Sequence, residues 1–393
     1  DASPPSNNLD AATRDAAIDG SAPDAANPPS DAQIGTLDAG DAGGSSARSF
    51  VYVGGWDWSG SVYPFRGYAL DHASGAFTSL GATLDFGANP SSISHNVAGD
   101  RLYVTNEYGG DKGGVTVASV DLASGAATKL DSASGAGAFV YSTVHPNGKY
   151  LFAADYNEGE IAVFRIENDG KLGDETDRVK FPKAGDDSAQ SHSVGVHHDG
   201  KWVYVPNKAL DTIAQFTFDE QTGALDRRDD IESEGGPRHI ALSGEYAFVM
   251  HEGSSVLRSF AVESDGDLRE LDDASALPSD FEGESRGAHV LVHPNGRYAY
   301  ASNRGQNSIA LFDIGTGGEL TLRANTPSGG DDPWDFAIDA DGKLLVLVNT
   351  GDQEGTTGSL NLFKIADDGV LSAFGTPVGN LKVPTGVTLV RAR

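Results

Sequence analysis

Apolar residues along this chain come in short runs, and the runs end in small polar clusters. Seven aromatic or branched runs recur: Phe50-Val51-Tyr52-Val53-Gly54, Leu102-Tyr103-Val104-Thr105-Asn106, Tyr150-Leu151-Phe152-Ala153-Ala154-Asp155, Trp202-Val203-Tyr204-Val205-Pro206-Asn207, Tyr246-Ala247-Phe248-Val249-Met250-His251, Tyr298-Ala299-Tyr300-Ala301-Ser302-Asn303 and Leu344-Leu345-Val346-Leu347-Val348-Asn349. Counted from residues 51, 103, 151, 203, 247, 299 and 345, the steps are 52, 48, 52, 44, 52 and 46. A period near fifty built of strand material predicts one sheet per repeat, arranged radially.

The residues around each run fill out a four-stranded unit. An inner strand precedes it, starting near Pro or a small residue, as in Pro90-Ser91-Ser92-Ile93, Pro237-Arg238-His239-Ile240 and Pro333-Trp334-Asp335-Phe336. Turns such as His145-Pro146-Asn147-Gly148 and His293-Pro294-Asn295-Gly296 join the two, because Asn-Gly tolerates the positive φ of tight hairpins. A third strand (Ile161-Ala162-Val163-Phe164, Ile213-Ala214-Gln215-Phe216) and a short outer strand follow. No segment holds a 3.6-residue apolar period, so helix is expected to be scarce. The first unit lacks an inner strand, and Pro384-Thr385-Gly386-Val387-Thr388-Leu389-Val390 has no partner. Joining them predicts an all-β, seven-bladed β-propeller of four-stranded antiparallel blades, with the C-terminal inner strand closing the ring on the N-terminal blade.

Composition divides the chain. Residues 1–48 hold no aromatic residue and are rich in Ala, Asp, Ser and Pro. They read as a disordered tether, since they cannot bury enough apolar surface to offset the entropy of ordering. Residues 49–393 form the propeller domain. Without cysteine, neither disulfides nor thiolate metal sites are available. The formal charge is −29; residues 1–48 carry eight Asp against two Arg, leaving −23 on the propeller. That balance disfavours nucleic acid as a partner. No run is long enough to span a bilayer. A start at Asp1, followed by such a tether, reads as an exported protein: secreted, periplasmic or held at the cell surface by a lipid-anchored N-terminus.

Inner and second strands are antiparallel neighbours, so inner-strand starts and second-strand ends share one face of the ring. His192, Arg238 and His239 stand at such starts. Asn106, Glu107, Asp155, Asn207, His251, Glu252, Asn303, Arg304 and Asn349 stand at such ends. In this register Ser191-His192-Ser193, Gly236-Pro237-Arg238-His239, Val249-Met250-His251-Glu252 and Ser302-Asn303-Arg304-Gly305 resemble the motifs of the lactonase propellers, which include 6-phosphogluconolactonases and carboxy-cis,cis-muconate cyclases. The resemblance spans roughly residues 49–393, including the Ser279-Asp280-Phe281-Glu282-Gly283 loop. It implies catalytic roles for His192, Arg238, Glu252 and Arg304; His239, Trp334, Asn303 and Glu107 on the same face are the expected substrate-binding residues. The two Arg would face a carboxylate, a phosphate or the oxyanion of an attacked lactone carbonyl. Glu252 or His192 would take a proton from water. The implied substrate is a small lactone or organic acid, with no cofactor and no metal.

Competing readings exist for these residues. Glu252 and Arg304 fit an inter-blade ion pair, His192 a rim hydrogen bond, and Asn106, Asn207, Asn303 and Asn349 turn positions. Glu107 and Asp155 are the carboxylates a calcium ion would use, but the necessary ring of Asn and Asp is not assembled. The chain also departs from the family: Trp334 stands where Arg is common, and Ser285-Arg286-Gly287-Ala288-His289 lacks the acidic residue many relatives carry. Two further functions therefore stand beside lactone hydrolysis: a non-catalytic surface binding module and a muconate-type cycloisomerase.

Overall fold

The computed structural model describes residues 47–57, 65–81, 84–352 and 357–393. The proposed tether lies outside them, save for its last two residues. Seven antiparallel sheets follow one another around a ring. Their inner strands are Pro384–Arg391, Pro90–His95, Phe139–Val144, Gly195–Val196, Pro237–Ser243, Arg286–Val292 and Pro333–Ile338. In that order they define blades 1 to 7. The second strands are the seven repeated runs, from Arg48–Gly55 in blade 1 to Leu344–Asn349 in blade 7. In blades 4 and 7 the outer strand is broken in two, so two short pieces pair with the same third strand. Helix among the described residues is confined to the 3-10 turns Gly110–Lys112 and Lys208–Leu210.

Second strands are apolar on both sides because each is sandwiched between neighbouring blades. Leu102, Val104, Phe50, Tyr52 and Val390 form one such inter-blade core, and Phe152, Val163, Val203 and Phe216 another. The recurring tyrosines have a definite task there. The hydroxyls of Tyr52, Tyr103, Tyr150, Tyr204, Tyr246 and Tyr300 donate to Gly125, Gly170, Glu220, Gly266, Thr316 and Gly369 carbonyls, at 2.6–3.1 Å. Each acceptor is a hairpin turn of the following blade. Each hydroxyl thus gains a partner and pins blade to blade, and those of Tyr52, Tyr204 and Tyr300 do so in the buried interior.

The ring closes where the unpaired ends predicted it would. Arg48–Gly55 pairs antiparallel with Pro384–Arg391, matching Phe50 to Val390 and Val51 to Leu389. Gly54 leaves room for the neighbouring blade: a Cβ there would lie 2.1 Å from the Pro90 carbonyl oxygen. Closure removes two sheet edges at once. Leu389 packs with Val51, Val53, Leu344 and Val346 across the seam. We predict that Leu389→Ala lowers stability by about 2–4 kcal/mol, read by urea unfolding; a loss under about 1 kcal/mol would show that the seam is not part of the cooperative core.

Candidate active site

The site begins with a backbone irregularity common to all the blades. Opposite the end of each second strand, the inner strand carries one extra residue. Pairing jumps from Pro90↔Asn106 to Ser92↔Thr105, from Phe139↔Asp155 to Tyr141↔Ala154, from Pro237↔His251 to His239↔Met250, and from Pro333↔Asn349 to Asp335↔Val348. Blades 1, 4 and 6 show the same jump between Pro384↔Gly55 and Gly386↔Gly54, Ser191↔Asn207 and Gly195↔Tyr204, and Gly287↔Asn303 and Val290↔Ala301. A bulge breaks the two-residue alternation and re-aims side chains. Here successive residues (Arg238 with His239, Trp334 with Asp335, Val140 with Tyr141) all line one cavity of about 610 Å3.

The second-strand ends split into two positions with different work. The terminal residue clamps the loop entering its own blade. Asn106 Nδ2 donates to Phe86 and Ala88 carbonyls, Asn303 Nδ2 to Ala276 O at 2.8 Å and Asn349 Nδ2 to Ser328 O at 3.3 Å. Asp155 accepts from the Ala138, Asn157 and Glu158 N–H groups, and His251 Nε2 meets Ser233 Oγ at 2.8 Å. The next residue instead faces the cavity: Trp56, Glu107, Tyr156, Lys208, Glu252 and Arg304 all line it.

At the centre, Glu252 gathers three cations. Arg238 Nε and Arg304 Nη2 each lie 3.0 Å from Oε2, and Lys208 Nζ lies 3.0 Å from Oε1. Backbone carbonyls hold both guanidiniums: Arg238 Nη1 donates to Ala288 O at 2.7 Å and Arg304 Nη2 to Gly287 O at 3.0 Å. Asp211 secures the approach to Arg238 by accepting the Gly235 and Gly236 N–H groups at 3.0 and 2.8 Å. Burial pushes Glu252 upward, but Arg304, Arg238 and Lys208 outweigh it and hold the carboxyl well below its ordinary range. Arg238 is only 1% exposed. Burial and the neighbouring Arg304 lower it to about 10, so it remains charged at neutral pH. This cluster carries more positive than negative charge inside an acidic protein.

Aromatic groups wall the cations. The Trp334 ring lies 4.6 Å from the Arg304 guanidinium and 5.3 Å from that of Arg238, and meets Trp56 edge-on at 5.0 Å. Trp56 Nε1 donates to Glu107 Oε2 at 2.7 Å. Burial pushes Glu107 up to about 7, despite that hydrogen bond and the field of Arg238. Along the wall, His239 Nδ1 and His289 Nδ1 lie 2.6 Å apart, and Asp335 Oδ1 is 3.5 Å from His289 Nδ1. Asp335 is pushed up to about 7 by burial, against N–H groups of Val387 and Phe336. Burial and Arg238 hold His192 and His239 well below their ordinary value and bring His289 to about 3. All three imidazoles are therefore neutral at pH 7.

The structure brings together His192, Arg238, Glu252, Arg304, His239, Trp334 and Glu107. Asn303 is the correction: its Nδ2 is taken by the loop clamp, and it does not line the cavity. Asp155 and His251 stay in the wall for the same reason. Lys208, Trp56, Tyr156, His289 and Asp335 were not picked out from sequence as site residues. Reading one residue beyond the polar ends Asp155 and Asn207 would have found Tyr156 and Lys208; Trp56 lies two residues beyond Gly54.

Among the described residues, one cluster has metal-ligand spacing: His197, His198 and Glu245. It sits at the opposite ends of the strands. His197 Nε2 there donates to Gly244 O at 3.2 Å. His145 and His293 make the same turn contact with Gly200 O and Gly342 O in other blades.

Comparison with known proteins agrees with this architecture. The family described as Lactonase, 7-bladed beta-propeller matches residues 50–389. A 6-phosphogluconolactonase of Bacillus subtilis is 28% identical over 326 residues, covering 80% of this chain and 90% of that protein. Among solved structures, a periplasmic gluconolactonase of Pseudomonas aeruginosa superposes with a TM-score of 0.78 at 23% identity, covering 88% of this chain and 100% of that one. A protein from Lactobacillus plantarum gives 0.76 at 24%, covering 87% and 99%.

The raised carboxyls have a consequence for stability. Glu107 and Asp335 stay protonated in the fold up to about pH 7, but ionise near pH 4 when unfolded. Between those values the folded state binds more protons, so through these groups stability falls as pH rises. Glu252 works in the other direction and elsewhere: its stabilisation is present above the unfolded pKa near 4 and lost below it. Glu107→Gln keeps an acceptor for Trp56 and should remove about half of the decline between roughly pH 5 and pH 8. Urea midpoints at the two pH values measure it, and an unchanged decline would place the proton elsewhere.

Proposed function

The chain belongs to the seven-bladed β-propeller lactonase family, and we propose that it is a lactone hydrolase, opening a sugar or organic-acid lactone by attack of water in the channel mouth. The observation that carries the reading is Glu252 held between Arg238, Arg304 and Lys208 in a cavity large enough for a small ring. Excess cationic charge in a partly dry site suits both the oxyanion formed on attack and the carboxylate released. Arg238 and Arg304, tethered by carbonyls on one edge, keep donors in place before the substrate arrives. A dry wall strengthens their field.

The environment of Glu252 assigns it a different part from base. A carboxylate that three cations hold ionised binds a proton weakly, so its role in this reading is to align the guanidiniums. The proton from water then goes to a neutral imidazole. Water forms the new C–O bond, the ring C–O bond breaks, and the departing ring oxygen takes up a proton. Trp334 supplies a flat face beside the cations, against which a sugar ring can stack. A muconate-type cyclisation would use the same Arg pair but no water.

The relative from Bacillus subtilis is named for a phosphorylated lactone, while the Pseudomonas aeruginosa neighbour is a periplasmic gluconolactonase. For an exported chain an unphosphorylated aldonolactone is the fitting substrate, since the phosphorylated sugar is made inside cells. Among the described residues no helix is long and apolar enough to cross a membrane.

A pH-stat screen over phosphorylated and unphosphorylated aldonolactones and carboxylated lactones tests the assignment. On the best substrate, Glu252→Gln should lower kcat/KM by at least about 100-fold with the circular dichroism of the fold retained. Full activity in that variant would overturn the assignment. Trp334→Ala should raise KM by roughly 10-fold, the loss of one stacking face, and leave kcat within about 3-fold; an unchanged KM would remove Trp334 from the substrate site.

A further inference from the structure

A general base needs a free lone pair toward substrate and a partner behind it that fixes the ring and takes up charge. His192 lacks the second of these. Its Nδ1 is buried without a hydrogen-bond partner, and its ring is flanked by the rings of Tyr156 at 5.6 Å and His239 at 5.0 Å. His239, one bulge further round the ring, has both. Its Nδ1 is 2.6 Å from His289 Nδ1, and Asp335 Oδ1 lies 3.5 Å from that same nitrogen. Asp335 is aimed by two backbone donors, Phe336 N at 3.0 Å and Val387 N at 2.9 Å. His289 is steadied edge-on by Phe336 at 4.9 Å. His239 Nε2 makes no hydrogen bond to a described residue, and the ring borders the cavity.

We propose that His239 is the general base of this site, with His289 and Asp335 as the positioning residues that receive the charge. This inference rests on the hydrolase reading above. Two nitrogens at 2.6 Å must share one hydrogen, so one ring donates through Nδ1 and the other accepts. In the resting state His239 carries that hydrogen and presents the Nε2 lone pair to water. As the water oxygen bonds to the carbonyl carbon, its O–H bond breaks and the proton moves to Nε2. The Nδ1 hydrogen passes to His289 Nδ1, leaving His239 neutral and His289 an imidazolium 3.5 Å from Asp335 Oδ1, a carboxyl that is ionised above about pH 7. When the ring C–O bond breaks, the path runs backward and Nε2 protonates the leaving oxygen.

The neighbouring charges explain why the proton should not stay on His239. Arg238 and Arg304 face it from blades 5 and 6, with Lys208 beside them. His192 approaches from blade 4 and Tyr141 from blade 3, where the Tyr141 and His239 rings meet edge-on at 5.2 Å. Arg286, Glu107 and Glu252 complete the charged lining. A cation on His239 faces both Arg238 and Arg304, whereas on His289 it faces Arg238 and has Asp335 Oδ1 3.5 Å away.

The first arm of the test needs no substrate. In the full chain carrying 15N-histidine, 1H–15N spectra should show one proton coupled to the Nδ1 atoms of both His239 and His289, by one bond to the donor and through the hydrogen bond to the acceptor. Asp335→Asn should shift that resonance. Where Asp335→Asn fails to fold, because its amide would oppose a backbone N–H, His289→Gln should abolish the shared proton. An absent shared proton, or one indifferent to Asp335→Asn, overturns the proposal whatever the protein hydrolyses.

The second arm uses the lactone found by the screen. His239→Asn should reduce kcat about 10²–10⁴-fold, and Asp335→Asn should displace the acidic limb of the kcat profile with KM little changed. His192→Asn should act mainly on KM. Loss of kcat in His192→Asn with full kcat in His239→Asn would overturn the proposal. A shared proton in a chain that opens no lactone supports the relay and sinks the hydrolase reading instead.

Discussion

An inner strand with one residue more than its neighbour can pair must turn a side chain out of the usual alternation, and all seven blades do so at one height. Without the bulge, Arg238 and His239 would point to opposite faces of their sheet, as would Trp334 and Asp335. With it, the rim of the channel carries two layers of side chains where a regular strand would offer one. The local cost in pairing falls at a position where the clamp residues Asn106, Asp155, His251, Asn303 and Asn349 replace ladder hydrogen bonds with side-chain ones.

The ring makes those bulges usable for chemistry. Tyrosine hydroxyls linking successive blades and the seam at Phe50↔Val390 fix each inner strand relative to the next. Groups nearly fifty residues apart in sequence, such as His239, His289 and Asp335, then stand within hydrogen-bond or ion-pair reach. Electrostatics divides the rim. On one side three cations share a single carboxylate and remain net positive. On the other, burial keeps imidazoles neutral and carboxyls near their titration point, which suits proton transfer.

Legibility of the site differed sharply by residue. Arg238, Glu252, Arg304 and His192 could be read because they sit in motifs at strand ends. Asn303 was misjudged, since an Asn ending a strand looks the same whether it clamps a loop or meets a ligand. Lys208 escaped because its polar run seemed to end at Asn207, and Trp56 because its run ends in Gly54 and Gly55 with no polar residue to mark it. His289 and Asp335 escaped because their meaning lies in contact with another blade, which no local pattern displays.

By itself the sequence determined the seven units, their closure and the face that carries the candidate site. Those follow from period, alternation and turn residues, all of which are local and repeat many times over. Tertiary structure alone decided which rim residues face the channel, that Glu252 is shared by three cations, and that His239 is backed where His192 is not. A single-residue bulge reverses a side chain's direction without leaving a mark in hydrophobic pattern, and a pKa depends on what other blades bring within a few ångströms.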